Sequence, residues 1–148
     1  MQQTLILFKP DCIQRRLIAT VLERFERKGL RLAAMKLVQA PQELAEAHYA
    51  VHKGKPFYNS LVSFITGGPT LAMVWEGREA VVVGRNLIGA TDGAKAAPGT
   101  IRGDFGLSVQ NNLVHGSDSP ENAAAEIKLW FKPEEMVAYT SVDGIWIN

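Results

Sequence analysis

Apolar residues along the first third of the chain follow two different periods. Residues 4–8 form a compact apolar run of the kind that predicts a buried strand. A helical period follows, and Gly29 after Lys28 is typical of a helix end. Asp11 is the predicted N-cap of this helix, with Gln14 as its capping-box partner. The apolar face of the predicted helix has a residue at every fourth position: Ile13, Leu17, Val21 and Phe25.

Further helices and strands are predicted along the rest of the chain. Pro41, Pro56 and Pro120 are each predicted to lie in the first turn of a helix, where a missing amide hydrogen does no harm. Ser119 is the predicted N-cap of the last of these helices. Later apolar runs predict strands at residues 32–39 and 70–75, and part of a fourth strand at residues 113–115.

Residues 79–88 permit two assignments. Three consecutive valines favour a strand by local propensity, whereas the length of the segment and its flanking glycines, Gly77 and Gly89, permit a helix. With the helix, the order of elements is that of an α+β protein, in which helices pack on a small sheet. No internal repeat or linker-like change of composition interrupts the chain, so residues 1–148 are predicted to form one domain.

Composition and charge narrow the classes of function. The 148 residues carry a formal net charge of +1 at pH 7, so no strong positive field favours nucleic acid or an acidic membrane as a partner. The N-terminal sequence has no signal-peptide features, and no apolar stretch approaches the roughly 18 residues of a membrane span. Cys12 is the only cysteine, which excludes an intramolecular disulfide and fits a reducing compartment. We therefore expect a cytoplasmic protein, with Cys12 as a small packing residue.

Several motifs that identify enzymes and metal proteins are missing. The sequence lacks the phosphate-binding pattern GxxxxGK[ST], the dinucleotide-binding pattern GxGxxG and the nucleophile pattern GxSxG. No group of histidines and cysteines has the spacing of a zinc site. His48 and His52 lie four residues apart on a possible helix, but the glutamate of the HExxH metal motif is missing. The sequence therefore predicts no metal ion held by the protein's own side chains.

Three cationic residues lie close to glycine or proline in separate segments. They are Lys9 before Pro10, Arg85 in the valine-rich segment, and Arg102 in the stretch PGTIRGDF. Functional side chains are frequent at such turns. Converging cations could bind a polyphosphate through charge-assisted hydrogen bonds. Spacing alone favours the alternative, in which each is a solvated surface charge.

His115 stands at the end of an apolar run, directly before a loop of small residues. A nucleophilic histidine must be neutral, and one ring nitrogen needs a partner so that the other is free to attack. Ser117 is close in sequence, and Glu126 lies about two turns into the predicted helix after Ser119, so both could reach the ring. The residues leave open whether His115 is a nucleophile or a hydrogen-bonded structural histidine.

A series of short stretches together carry a resemblance to a known family. The sequence resembles the nucleoside diphosphate kinases over essentially its whole length. This resemblance implies an α+β fold with a ferredoxin-like βαββαβ core, a four-stranded antiparallel sheet with helices packed on it, and a helix at residues 79–88. The matching stretches are FKPDCIQR, HY, KPFY, GPTLAMVWEG, GRNLIGAT, PGTIRGDF, NNLVHGSDS and the Glu126 of AEIKLWF.

The resemblance also implies a reaction and a set of residues for it. The γ-phosphoryl group of a nucleoside triphosphate, mainly ATP, would pass to a nucleoside diphosphate through a phosphohistidine on His115. Mg²⁺ would be bound mainly through the nucleotide phosphates, which it prefers as ligands. By resemblance, the phosphates would be held by Lys9, Arg85, Thr91 and Arg102. The sugar would contact Asn112, and the base would lie between Phe57 and Val109. The ring of His115 would be oriented by Tyr49, Ser117 and Glu126.

Some positions depart from the usual family pattern. Cys12 replaces a glycine, Asp92-Gly93 stands where Asn-Pro is frequent, and Gln110-Asn111 replaces a pair of glycine and a basic residue. Losing a proline frees the backbone of a loop that commonly contacts other subunits. The apolar C-terminal residues 145–147 resemble the longer tail of the family's hexamers. We therefore expect a homohexamer first and a homotetramer second.

Overall fold

A four-stranded antiparallel sheet lies at the centre of the protein. The structure is a computed structural model that describes residues Met1–Asn148. All four predicted strands are present, with ends that differ from the predicted ones by one or two residues. The strands are β1 (Gln2–Phe8), β2 (Arg31–Val38), β3 (Thr70–Gly77) and β4 (Val114–Gly116), in the spatial order β2-β3-β1-β4.

Helices connect and cover the strands in the order expected of a ferredoxin-like fold. The α+β prediction is therefore confirmed, with extra helices inserted between β2 and β3 and around β4. Short 3₁₀ turns lie at Ala50–His52 and Pro133–Glu135. The helices are α1 (Pro10–Gln14), α2 (Ile18–Lys28), α3 (Gln42–His48), α4 (Tyr58–Thr66), α5 (Ala80–Ile88), α6 (Ile101–Phe105), α7 (Pro120–Trp130) and α8 (Gly144–Ile147).

The valine-rich segment forms the helix α5, as the resemblance implies and against its local propensity. Ala80, Val81, Gly84 and Ile88 are buried, and their spacing puts them on one helical face. Val82 points outward and is exposed. Burial of one apolar face against the sheet outweighs the weak preference of β-branched residues for strands.

Apolar cores lie on both faces of the sheet, and β1 contributes to both. Ile6 and Phe8 pack with the apolar residues of α2 and β3, whereas Leu5 and Leu7 pack with residues of α4 and α7. Successive residues of a strand project to opposite faces, so the fully buried run of β1 is shared between the two cores. None of the helices is both long enough and apolar enough to cross a membrane.

The helix predicted to begin at Asp11 is divided, and its predicted N-cap is wrong. Arg16 adopts a left-handed backbone conformation, with φ at 59°, so the chain turns between α1 and α2. Lys9 is the N-cap of α1, and Asp11 lies inside that helix. The carboxylate of Asp11 instead accepts a hydrogen bond from the backbone N–H of Leu113, at 3.0 Å.

The helix ends that follow the ordinary capping rules are as predicted. Gly29 ends α2 in the left-handed conformation, with φ at 100°, which glycine adopts without a steric penalty. Ser119 caps α7, and its hydroxyl accepts a hydrogen bond from the N–H of Asn122 at 3.0 Å. Pro120 follows in the first turn. Residues 117–119 are thereby fixed as a short link between β4 and α7.

Candidate active site

His115 is the middle residue of β4, the shortest strand of the sheet. It pairs with Leu7 of β1, and residues that pair across a sheet project from the same face. That face carries the core to which Leu7 and Trp130 of α7 belong. The imidazole therefore leaves the sheet on the side covered by α7, and 22% of its side chain is exposed.

A tight turn fixes the start of β4. Leu113 has a positive φ of 73°, and the N–H of Val114 donates to the carbonyl of Asn112 at 2.8 Å, as in a γ-turn. Such a conformation costs on the order of 1–3 kcal/mol at a residue other than glycine, so neighbouring contacts must stabilise it. Leu113 accepts a hydrogen bond from the N–H of Lys9 at 2.8 Å and donates to Asp11. These contacts position the turn, and thus His115, relative to the end of β1.

Glu126 of α7 and Ser117 form a hydrogen-bonded group with His115. The Nε2 atom of His115 lies 3.1 Å from Oε1 of Glu126, and the Ser117 hydroxyl donates to the same oxygen at 2.7 Å. Ser117 in turn accepts from the backbone N–H of Leu5 at 3.2 Å. One carboxylate oxygen is therefore shared by the imidazole and a hydroxyl that is itself anchored to β1.

The ionisation of Glu126 decides which nitrogen of His115 is free. Burial alone would raise the pKa of the Glu126 carboxyl, but hydrogen bonds from His115 and Ser117 and the nearby imidazoles lower that pKa below its ordinary value. An ionised carboxylate can only accept hydrogen bonds, so Nε2 of His115 must be the donor. In the neutral ring, the lone pair is then on Nδ1. This is the arrangement that a nucleophilic histidine needs.

His48, at the end of α3, lies against His115. The two ring centroids are 4.5 Å apart, and the ring planes are nearly perpendicular, at 80°. The indole Nε1–H of Trp130 donates to Nδ1 of His48 at 3.1 Å. Burial, followed by the nearby His115, lowers the pKa of His48 to about 3. His48 is therefore neutral near pH 7.

The nitrogen and oxygen atoms of His48, His115 and Glu126 are close enough to suggest a metal site. One ligand atom from each residue lies within 4.8 Å of the others. Trp130 can only donate, so Nδ1 of the neutral His48 accepts and its Nε2 carries the proton. That tautomer offers no free lone pair, and the Glu126 oxygen already accepts two hydrogen bonds. These donors fit a hydrogen-bonded network rather than a metal ion.

Arg102 and Arg85 bring two guanidinium groups to the same region. Arg102 is 4% exposed and donates to the backbone carbonyls of Gly89, Asn112 and Val114. Burial, followed by the charge of Arg85, lowers the pKa of Arg102 to about 10. Arg85 donates to the carbonyl of Gly116 at 3.3 Å. A guanidinium has five N–H donors, so two of those on Arg102 are still available to a ligand.

Lys9, Asn112 and Thr91 form a second polar chain behind the two arginines. The ammonium of Lys9 donates to the side-chain oxygen of Asn112, whose amide group donates to the carbonyl of Thr91 at 3.0 Å. Burial, followed by the charge of Arg102, lowers the pKa of Lys9 to about 8. Two cations that are buried close together are well placed to bind an anion.

A cavity of about 380 Å³ opens over His115. It joins residues from α3, α5, β4 and α7 and from the loops before α6. His48, His52, Asp118 and Asn122 also line it. Its lining includes six of the predicted site residues: Tyr49, Arg85, Thr91, Arg102, His115 and Glu126.

The other predicted site residues do not line this cavity. Lys9, Asn112 and Ser117 are buried, and Lys9 donates a hydrogen bond to Asn112, whereas Ser117 donates one to Glu126. Phe57 and Val109 belong to loops outside the cavity and are 47% and 57% exposed. The sequence therefore predicts a set of residues that the fold brings partly into the cavity, partly behind it and partly outside it.

His48 is the site residue to which the sequence patterns assign no role. Its spacing from His52 is that of a possible metal pair, but the glutamate of the HExxH motif is missing, and the two rings make different contacts. His48 packs on His115 and Trp130, whereas the ring centroid of His52 lies 5.2 Å from that of Phe57. The contact between His48 and Trp130 has only a weak sequence signal: Trp130 lies on the predicted inner face of the last helix, where a buried partner is expected.

Comparisons with known proteins show which family the whole chain resembles. A family model described as "Nucleoside diphosphate kinase" matches residues 2–136. Proteins named nucleoside diphosphate kinase from Staphylococcus aureus and Carboxydothermus hydrogenoformans are 54% and 52% identical over 147 residues, and each alignment covers 99% of both chains.

Solved structures resemble the whole chain as well. The structure of a nucleoside diphosphate kinase family protein from Babesia bovis has a TM-score of 0.97 and 48% sequence identity, and the match covers 100% of both chains. That of a nucleoside diphosphate kinase from Halobacterium salinarum in complex with CDP has a TM-score of 0.97 and 46% identity. The match covers 99% of the present chain and 98% of the halophilic one.

Proposed function

We propose a mechanism for this chain, which belongs to the nucleoside diphosphate kinase family and transfers phosphoryl groups between nucleoside tri- and diphosphates. His115 takes the γ-phosphoryl group of ATP or another nucleoside triphosphate and then passes it to a nucleoside diphosphate. The observation that carries the proposal is the contact of His115 Nε2 with Glu126, because it leaves the Nδ1 lone pair unshared. One covalent intermediate serves both half-reactions, so the mechanism is ping-pong.

The transfer uses the ring of His115 and the charge of Glu126. The Nδ1 lone pair forms a bond to the γ-phosphorus, and the bond from that phosphorus to the β–γ bridging oxygen breaks. The electron pair of the broken bond leaves on the nucleoside diphosphate. The phosphorylated ring keeps its proton on Nε2 and gains positive charge, which the adjacent carboxylate of Glu126 stabilises. An oxygen of the terminal phosphate of the acceptor diphosphate then reverses these steps.

Cationic side chains bind the phosphates in this proposal. Arg102 and Arg85 line the cavity, and Lys9 lies behind it next to Asn112. For phosphoryl transfer, the main contributions of a protein are to position the phosphates and to balance their charge. The remaining donors of Arg102 and the hydroxyl of Thr91 are available for hydrogen bonds to phosphate oxygens.

The acidic groups of the cavity fit a Mg²⁺ ion that arrives with the nucleotide. Mg²⁺ prefers oxygen ligands and is commonly held by substrate phosphates with one or two carboxylates. Glu126 is occupied by His115 and Ser117, which leaves the exposed Asp118 as the other carboxylate of the lining. When bound, the ion would balance the negative charge of the phosphates, and Asp118 would be the carboxylate of the cavity lining that is available to hold it.

The nucleoside is proposed to lie towards the exposed rim. Asn112 would meet the sugar, and Phe57 and Val109 would cover the two faces of the base. The exposure of Phe57 and Val109 supports their assignment, because contacts with base faces need accessible apolar side chains. Tyr49 lines the cavity and would help to orient His115, and burial raises the pKa of its phenol to about 12, so it stays a donor. Purine and pyrimidine diphosphates should therefore be acceptors of similar efficiency, which steady-state kinetics can measure.

The proposal extends to assembly and location. Val142, Ile145 and Trp146 of the C-terminal segment are 97%, 80% and 83% exposed, and such a cluster favours contact with another chain. We propose a homohexamer, with a homotetramer as the alternative, and a cytoplasmic location where ATP and nucleoside diphosphates are available. Sedimentation at several protein concentrations tests the assembly, and a stable monomer would contradict it.

A phosphoenzyme assay tests the proposed nucleophile. Incubation with γ-labelled ATP and Mg²⁺ should give a labelled protein whose label is lost in acid, survives in base and is removed by a nucleoside diphosphate. A His115→Ala variant should take no label, whereas a His52→Ala variant, which alters another histidine of the same cavity, should still take it. Labelling that persists in His115→Ala would refute the assignment.

A further inference from the structure

His48 has no assigned part in the proposed reaction, yet it makes the closest ring contact with His115. It is the last residue of α3, it is buried, and its ring lies between the rings of Trp130 and His115. Tyr49 closes another side, with a centroid 4.8 Å from that of His48. A buried polar side chain in such surroundings is expected to have a hydrogen-bond partner that fixes its orientation.

Trp130 determines both the orientation and the tautomer of His48. The indole N–H can only donate, so Nδ1 of His48 accepts and Nε2 carries the single proton. Turning the His48 ring over would leave the buried indole N–H without a partner, which is unfavourable. The ring is therefore held in one orientation, unlike a histidine that solvent can reach.

His115 needs such a neighbour because a single contact to Glu126 does not fix its ring. The imidazole can rotate about its χ2 torsion, for which the preferences are broad and roughly two-fold. Rotation by about 180° would put Cδ2 in the place of Nδ1 and Cε1 in the place of Nε2, so Nδ1 would turn away from its position and Nε2 would lose its contact with Glu126. The nearly perpendicular His48 ring, whose centroid is 4.5 Å away, packs against the imidazole and opposes this rotation.

We propose that His48 is a positioning residue for the phosphoryl transfer, which holds the His115 ring so that Nδ1, and not Nε2, takes the phosphoryl group. Trp130 supports it by fixing the His48 ring. His48 does not touch the substrate in this scheme, and it transfers no proton. The inference rests on the proposed function, since it concerns which nitrogen of the proposed nucleophile reacts.

The test compares three substitutions that separate ring shape from hydrogen bonding. His48→Phe keeps a flat ring against His115 but cannot accept from Trp130. His48→Asn keeps an acceptor near the position of Nδ1 but removes most of the ring. Trp130→Phe keeps the packing and removes the donor. Each variant is treated with ATP and Mg²⁺, and the phosphohistidine isomers are resolved by ³¹P NMR while phosphoenzyme formation is timed by rapid quenching.

The isomer ratio distinguishes positioning from general damage to the fold. Wild-type protein should give only the Nδ1 isomer, and His48→Phe, which keeps a ring but loses the hydrogen bond from Trp130, should depart from this only slightly. His48→Asn should give both isomers and form phosphoenzyme more slowly, by up to about a hundredfold, with little change in the KM for ATP. Trp130→Phe should change in the same direction by a smaller factor.

Two outcomes would count against the inference, and they differ from failure of the proposed function. His48→Asn that forms only the Nδ1 isomer at the wild-type rate would overturn it. If His48→Asn does not fold, a Trp130→Phe variant indistinguishable from wild type in isomer ratio and rate would overturn it as well. A wild-type protein without any phosphohistidine would instead refute the proposed function on which the inference depends.

Discussion

His48 should make the folded protein less stable as the pH falls below neutrality. Burial, followed by the nearby His115, lowers its pKa from the ordinary 6.5 to about 3 in the folded protein. In the unfolded chain the imidazole takes up a proton below about pH 6.5, whereas the folded protein stays unprotonated at this site. Because the unfolded state binds more protons, the free energy of unfolding must decrease as the pH falls through this range.

The size of the effect follows from the two pKa values. Between them, the free energy of unfolding changes by up to about 1.4 kcal/mol per pH unit for one group. For pKa values of 6.5 and about 3, lowering the pH from about 7.5 to about 5 should cost roughly 2 kcal/mol. Near pH 7 the contribution is close to zero, so ordinary assay conditions would not reveal it.

Urea unfolding at fixed protein concentration measures this contribution. A fixed concentration matters, because an oligomer's apparent stability depends on it. The wild-type protein is compared with His48→Asn between about pH 5 and pH 7.5, since asparagine has the acceptor but does not titrate. The difference between the two free energies should fall by roughly 2 kcal/mol on acidification. A difference that stays constant across this range would refute the reasoning from burial.

Three further predictions concern other parts of the molecule. Glu126→Gln should slow phosphoenzyme formation by roughly one to two orders of magnitude, because a hydrogen bond to a charged group is worth about 1.5–3 kcal/mol; rapid quenching measures it, and an unchanged rate would contradict it. Gly93→Ala should destabilise the protein by about 1–3 kcal/mol in urea unfolding, because a Cβ there would lie 2.5 Å from the backbone of Gly106. Gly144→Ala, with nothing within 4 Å, is the control. Cys12 should react with thiol reagents only after unfolding, because burial raises its pKa to about 12; rapid reaction of the native protein would disprove this.

The sequence predicts the sheet well because the strands of this protein are compact apolar runs. The burial of β1 and β3 on two faces leaves a signal that does not depend on partners far along the chain. Residues 79–88 have no such clear signal, because a run of valines suits a strand locally. Only the packing of Ala80, Gly84 and Ile88 against the sheet makes the helix the better solution.

The errors near the N-terminus have a different physical origin. Asp11 has the right neighbours for a capping box, and the apolar period continues through Leu17 without a break. The actual partner of the Asp11 carboxylate is the N–H of Leu113, which lies 102 positions away. Local patterns contain no information about such a partner. The left-handed turn at Arg16 is also not predictable, because no glycine or asparagine marks it in the sequence.

The candidate site was predictable to the extent that it depends on one helix. Counting turns from Ser119 puts Glu126 near the end of β4, and the structure has its carboxylate 3.1 Å from His115. The contact of His48 with His115 joins α3 to β4, and its support from Trp130 spans 82 positions. Neither contact follows from spacing, so sequence patterns alone assign His48 no role, whereas in the fold its ring packs edge-on against those of His115 and Trp130.

The structure explains why Asp92-Gly93 can stand where the family frequently has Asn-Pro. The loss of proline suggests a looser loop, yet the Asp92 side chain accepts a hydrogen bond from the N–H of Ala94 at 3.0 Å. Gly93 donates to the carbonyl of Ser108 at 3.3 Å and lies against the backbone of Gly106. A proline could not make that hydrogen bond, so glycine here allows a close contact between two loops.

The pairing of β1 with β4 joins the beginning of the chain to a strand more than a hundred residues later. The hydrogen bonds of Lys9 to Leu113 and of Ser117 to Leu5 are the contacts that bring His115 to its neighbours. During folding, such a loop closes late and slowly, because its ends lose much configurational freedom before any contact compensates for it. A chain that has formed its helices but not this last strand pair therefore has no assembled site. Recovery of activity on refolding is therefore tied to a contact between distant parts of the chain, and not to the appearance of secondary structure.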